Sequence, residues 1–144
     1  MSEANELEMT SGRPELSKRA ARRLIQRAFV LVGRERAVRQ HWREAELTTL
    51  WVLGDWDLEW TIVLHRGKLE FDRRPTRKPD VTLSWPTAEG FFQWIESNLQ
   101  VAEGFTIEGT PESCRLAEVI CRAFRTKMGQ VLHFPFDDDG VRLA

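Results

Sequence analysis

The sequence predicts an α+β fold (α/β in the broad sense), with a mainly antiparallel sheet covered by helices. Apolar residues recur every three or four positions in three stretches, the mark of helices with one buried face. Between those stretches they alternate with polar residues, the period of a strand with one buried face. Short turns separate three of the alternating segments, which favours an antiparallel meander. With 144 residues, 42% hydrophobic and 30% charged, the chain suits one core rather than two domains.

Residues 1–14 are polar and acidic and contain Gly12 and Pro14, so they read as a flexible N-terminal tail. A helical region follows from Pro14 or Glu15 to Arg43, with Leu16, Ala20, Leu24, Ala28 and Leu31 forming its apolar stripe. Gly33 interrupts that stripe and is expected to split it into two helices. Leu47–Leu53 is a first strand, closed by Gly54-Asp55. Trp56, Leu58, Trp60, Ile62 and Leu64 then alternate with Asp57, Glu59, Thr61, Val63 and His65, predicting a strand from Trp56. Arg66-Gly67 turns into Lys68–Asp72, and Val81, Leu83 and Trp85 provide a fourth apolar face. Thr87 is placed to cap a helix bearing Phe91, Phe92, Trp94, Ile95 and Leu99. Phe105–Glu108 is a brief strand. Thr110-Pro111 is the clearest helix start, a capping residue followed by a proline whose missing N–H costs nothing there. Leu116, Ala117, Ile120, Cys121, Phe124 and Met128 give this helix its buried face, and Gly129 is expected to end it. Val131–Phe136 has no clear period, and residues 137–144 read as an acidic C-terminal tail after a single domain at 15–136.

Charge is unevenly spread. Residues 13–43 hold ten Lys or Arg against Glu15 and Glu35, a net of +8, whereas residues 44–144 hold eleven bases against seventeen acids, a net of −6. The basic segment can face an anionic membrane, a nucleic acid or the acidic remainder of its own chain. Arg19, Arg22, Arg23 and Arg27 are the candidate anionic-surface contacts, toward a peripheral anionic membrane or an acidic protein partner. Nucleic acid is disfavoured, because the aromatic residues fall on faces expected to be buried rather than on an open stacking platform. No secretory signal or membrane-length apolar run is visible, which points to a cytoplasmic protein.

Catalytic signatures are lacking. Phosphate-loop, dinucleotide, HExxH and GxSxG patterns do not occur, and His41, His65 and His133 lie far apart without metal-site spacing. Asp57 and Glu59, two apart on an expected strand, read as a solvated pair. Asp137-Asp138-Asp139-Gly140 lacks the spaced ligands of a calcium loop. Cys114 and Cys121 share a helical face and read as small buried hydrophobes. The expectation is a non-enzyme with no metal and no cofactor.

The positive signal is aromatic. Six Trp and eight Phe occur with no Tyr. Trp56, Trp60 and Trp85 belong to the inferred inner face, and Phe91, Phe92 and Trp94 to the helix after it. Rings so placed either pack solidly or leave a slot for an apolar guest, and composition alone favours the solid core.

Residues 47–128 resemble the sterol carrier protein type 2 (SCP-2-like) domain, including the type at the C-terminus of alkyl sulfatases. The resemblance lies in the order of Val63-Leu64-His65-Arg66-Gly67-Lys68-Leu69, Lys78-Pro79-Asp80-Val81-Thr82-Leu83, Phe91-Phe92, and Phe105-Thr106-Ile107-Glu108-Gly109-Thr110 followed by a helix through Leu116 and Ile120. Thr110 departs from the acidic residue usual after the last glycine. The resemblance implies a five-stranded sheet backed by helices and a lipid or other apolar molecule held between them; some members serve instead as accessory or dimerisation domains. The expected lining is Trp56, Trp60, Leu64, Trp85, Phe91, Trp94, Leu116, Ile120 and Phe124. The alternative expectation is a ligand-free scaffold or homodimer whose aromatic core is filled.

Overall fold

Ser17 starts the first helix because its hydroxyl accepts the Ala20 N–H at 3.1 Å, satisfying a donor that the helix itself leaves unpaired. The computed structural model describes residues 17–72, 78–96 and 105–143, so the expected N-terminal tail lies outside the described residues. Helix α1 spans Lys18–Arg34 and buries Ala21, Leu24, Ile25, Ala28, Phe29 and Val32. Gly33 does not break it. The interruption falls at Glu35, whose extended backbone separates α1 from the short α2 (Arg36–His41).

Five strands follow the alternation: β1 (Glu46–Leu53), β2 (Leu58–His65), β3 (Lys68–Asp72), β4 (Val81–Trp85) and β5 (Thr106–Gly109). Their spatial order is β3-β2-β1-β4-β5. β1–β2, β2–β3 and β4–β5 are antiparallel, whereas β1–β4 is parallel. The expected meander is therefore β1–β2–β3, and the chain then crosses back to lay β4 beside the central strand. Trp56 is not the start of β2. It sits with Asp57 in the preceding turn, where Asp57 takes a positive φ of 49°, so Asp57 and Glu59 do not share a strand face.

The residues that carry the family resemblance have backbone reasons to be where they are. Gly67 has φ +83°, and a Cβ there would stand 2.9 Å from the Arg39 carbonyl oxygen. Asp80 docks β4 against β1: its N–H donates to Thr48 O at 2.8 Å and its carboxylate accepts Thr48 N–H at 2.9 Å. A Cβ on Gly109 would meet Asp80 O at 2.6 Å.

Helix α3 (Ala88–Glu96) is held at its start by two side chains. Thr87 accepts from Gly90 N at 3.0 Å, and Asp55, from the β1–β2 turn, accepts from Ala88 N at 2.9 Å. Helix α4 (Pro111–His133) opens on Thr110, which accepts from Ser113 N at 3.2 Å. It runs past Gly129 and takes in Val131, the apolar segment that showed no clear period. α1 and α4 pack side by side, α3 packs against α4, and all three send rings onto one sheet face. Beyond α4, Phe136 bridges to Arg142 around a turn at 137–140. That acidic turn is fastened to α1, since Arg27 and Arg34 both donate to Asp138.

Candidate functional site

Alternation places Leu47, Thr49, Trp51 and Leu53 of β1 on the helix-facing side, with Trp60 of β2 directly opposite Trp51 and Trp85 of β4 level with Leu53. Three indoles thus lie across the sheet as a row. Trp51 stacks with Trp60 at 5.8 Å and with Trp85 at 5.6 Å, with interplanar angles of 23° and 24°. Phe29 from α1 and Phe124 from α4 each meet Trp51 edge-on at 5.2 Å. Phe91 from α3 meets Trp85 edge-on at 4.9 Å. Offset and edge contacts of this kind match the ring quadrupoles and add to the burial itself.

Trp60, Leu64, Trp85, Phe91, Ile120 and Phe124 of the expected lining belong to this buried cluster. Trp56 is half-buried at the β1–β2 turn with its ring 6.2 Å from Phe92, and Leu116 is half-buried on α4. The rings fill the space between sheet and helices where the lining was expected to enclose a guest. Trp51 N–H donates to Thr49 Oγ1 at 2.8 Å, and Thr49 donates on to Ile62 O. The buried indole nitrogens of Trp60 and Trp85 have no hydrogen-bond partner among the described residues, each costing about 1–3 kcal/mol.

The ninth expected residue, Trp94, belongs to the same buried cluster, its ring centre 4.8 Å from that of Trp85, and it also borders a groove at the cluster's margin. Together with Ile95, Phe105, Ile107 and Cys121 it forms the apolar wall of that open groove of about 570 Å³ where α3, β5 and the middle of α4 converge. Glu118, Arg122, Arg125 and Thr126 form its polar side, and Gly129 lies at its margin. Phe105 is continuous with the core, stacking on Trp85 at 4.7 Å. The Arg125 guanidinium stands 5.2 Å from the Trp94 ring centre, a cation–π contact that places positive charge beside the aromatic wall. Partial burial draws the Arg125 pKa down from its usual value. Burial also pushes the Cys121 thiol up to about 12, with the Glu118 carboxylate adding to the rise, so this sulfur is protonated at neutral pH and is no nucleophile.

Sequence reasoning missed Trp51, Phe105, Ile107, Arg125 and Gly129 as members of the core hub or the groove. Trp51 was hidden by Leu50 and Val52 on the opposite face, which make β1 nearly continuous in apolar character. Counting back from Gly54 would have fixed its register.

The four arginines proposed for an anionic surface divide. Arg19 and Arg23 are exposed, Arg22 is half-buried, and Arg27 donates to Asp138 at 2.9 Å. Asp138 therefore supplies one intramolecular acid for the basic segment, and the two guanidiniums hold its carboxyl well below the usual carboxylate range. Among the described residues no group of three or more His, Cys, Asp or Glu converges to hold a metal ion, and no helix is long and apolar enough to cross a membrane.

No protein-family model matches the chain, and no curated protein matches it in sequence. Among solved structures it is similar to a double mutant of the sec-alkyl sulfatase PisA1, with 19% identity and a TM-score of 0.45 over 54% of this chain. It is likewise similar to the stereoselective inverting sec-alkylsulfatase Pisa1 from Pseudomonas sp., with 20% identity and a TM-score of 0.41 over 51%. The chain spans only 13% and 12% of those two proteins. A third similar structure is a ubiquinone synthesis protein described as UbiJ-SCP2, with 10% identity, a TM-score of 0.44, and coverage of 70% of this chain and 89% of that one. The chain resembles an SCP-2-like domain. These likenesses concern fold alone.

Proposed function

We propose that this chain is a non-catalytic binding module for an apolar small molecule or lipid with a polar end. The guest lies in the groove between α3, β5 and α4 rather than under the sheet. One observation carries the reading: a groove of about 570 Å³ joins an aromatic wall, Trp94 and Phe105, to a guanidinium, Arg125, at one site. That volume lies within the range of ordinary small-molecule sites, and the mix of apolar wall and few polar groups is what such sites use. Burial of the guest's apolar part supplies the drive at roughly 25 cal/mol per Å², less the costs of association and ordering. Trp60, Trp85, Phe91 and Phe124 then act as the firm backing behind Trp94 and Phe105.

Gly129 offers the test. A Cβ added there meets no atom within 4 Å, so a large side chain extends over the groove without entering the core. In ¹⁵N-labelled protein titrated with decanoic acid, decanol and a sterol, the Trp94 indole signal should shift saturably with at least one of them. Gly129→Phe should abolish that shift while the Trp51 signal stays in place. Titrations without saturation, or a Gly129→Phe variant that binds as the parent does, would defeat the proposal.

The filled ring cluster favours a second reading, a ligand-free scaffold or dimerisation module. It predicts a dimer by light scattering across a concentration series and no small molecule in extracts of the purified protein.

A further inference from the structure

The β2–β3 turn is roofed by α2. Gly67 is buried although it lies at a hairpin tip, and a Cβ added to it would stand 2.9 Å from the Arg39 carbonyl oxygen. The chain joining α2 to β1 closes in from beside it, where Arg66 N–H donates to Ala45 O at 3.1 Å. Three stretches of chain therefore touch at one end of the sheet: α2, residues 42–45 and the turn.

Each of them carries exposed cations. Arg36 and Arg39 stand one turn apart on α2, Arg43 follows the helix, and Arg66 and Lys68 flank Gly67. None of the five forms an ion pair with a carboxylate among the described residues. The acids nearby are few. Glu46 pairs with His65 Nδ1 at 2.6 Å, Glu35 just before α2 pairs with Lys127, and Glu44 is exposed. This end differs from the middle and far part of α1, where Arg27 and Arg34 are answered by Asp138. Like charges held this close repel one another, a cost that a bound anion removes.

We propose that this end of the molecule docks an acidic segment of a partner protein, whose Asp and Glu carboxylates meet Arg36, Arg39, Arg43, Arg66 and Lys68. Four of the five are arginines, and a guanidinium fork holds a carboxylate through two parallel N–H bonds. A bilayer fits less well, because the exposed large apolar side chains of the described residues, Val30, Phe134 and Val141, all lie outside these segments. A nucleic acid also fits less well. Trp42, the ring these segments carry, is 1% exposed and offers no stacking platform. Glu44 and Glu46 would moreover face a backbone charged at every nucleotide, whereas spaced carboxylates on a peptide leave room for them. None of these residues borders the groove.

Titration of the ¹⁵N-labelled full chain with a synthetic peptide of alternating Glu and Ser tests it. The matching Gln–Ser peptide, a DNA duplex and phosphatidylserine-containing vesicles serve as rivals. The Glu–Ser peptide should shift the Arg39 and Gly67 amide signals saturably. Its affinity should fall several-fold between about 0.01 M and about 0.1 M salt, as the screening length drops from about 30 to about 10 Å. At about 0.1 M salt, Arg39→Glu with Arg43→Glu should weaken binding roughly tenfold, since two attractions become repulsions. Arg19→Glu with Arg23→Glu makes the same change of net charge at the start of α1 and should leave binding within about twofold. Circular dichroism of each variant should match the parent, and Arg36→Gln with Lys68→Gln is the milder pair if it does not. No saturable shift, an equal response to the Gln–Ser peptide, tighter binding to the duplex or the vesicles, or an equal loss in both Glu double variants would overturn the proposal.

Discussion

A Cβ built on Gly109 would lie 2.6 Å from the Asp80 carbonyl oxygen and 3.1 Å from a Val81 methyl. Both neighbours are fixed by the ladder that β4 shares with β1 and β5, so neither can yield cheaply. Gly109→Ala should therefore destabilise the protein by about 2 kcal/mol or more, read as a lowered midpoint in urea. Asp138 behaves differently because it is exposed and its partners are salt-screened. Its folded-state pKa lies below the ordinary carboxylate value of about 3.9. The clasp thus contributes at every pH above that value and fades as pH falls below it toward the folded pKa. Asp138→Asn should lower thermal stability slightly at pH 7, and its difference from the parent should shrink in strong acid or high salt. A difference that grew on acidification would contradict the clasp. At this scale the sequence was informative about the turn glycine Gly67, the close-packed Gly109 and the helix caps, whose reasons are local. It was poor at ranking the rings, because Trp51 becomes the hub only when β2 and β4 flank it.

Helices and strands were legible wherever one face is buried and the other wet. The stripe from Leu24 to Ala28, the alternation from Leu58 to Leu64 and the Thr110-Pro111 start all appear as elements. Boundaries read from single glycines were not. Gly33 and Gly129 both sit inside helices, the first beside Leu69 with a Cβ distance of 3.8 Å, the second facing open space. The neighbouring buried residues, Val32 in one case and Met128 with Val131 in the other, outweigh the intrinsic cost of a helical glycine. Since nothing crowds Gly129, Gly129→Ala should raise stability by about 0.5–1 kcal/mol, shown by an increased thermal midpoint with unchanged circular dichroism. A lower midpoint would mean that α4 is bent or frayed there. The groove itself was hidden from the sequence, because its walls come from α3, β5 and α4 and converge only through the sheet between them.

For the whole molecule, the aromatic wealth of the chain serves two purposes. Most of it fills the space between layers, and a remainder, Trp94 and Phe105, reaches the groove. The rings pack centrally, and an open groove lies at the margin of the cluster. The asymmetry of charge resolves in part as well, since Arg27 and Arg34 of the basic segment pair with Asp138 of the acidic remainder.

The order β3-β2-β1-β4-β5 has a consequence for motion. β1 is the hinge of the topology, hydrogen-bonded to a hairpin neighbour on one side and to a strand recruited across the crossover on the other. The hairpin can zip early, whereas the parallel seam must await closure of a long stretch of chain. Trp51 and Thr49 amides should accordingly exchange with deuterium only through global opening, while those of the outer strand β5 exchange far sooner. If β5 instead proved as protected as β1, the two halves of the sheet would form in one step.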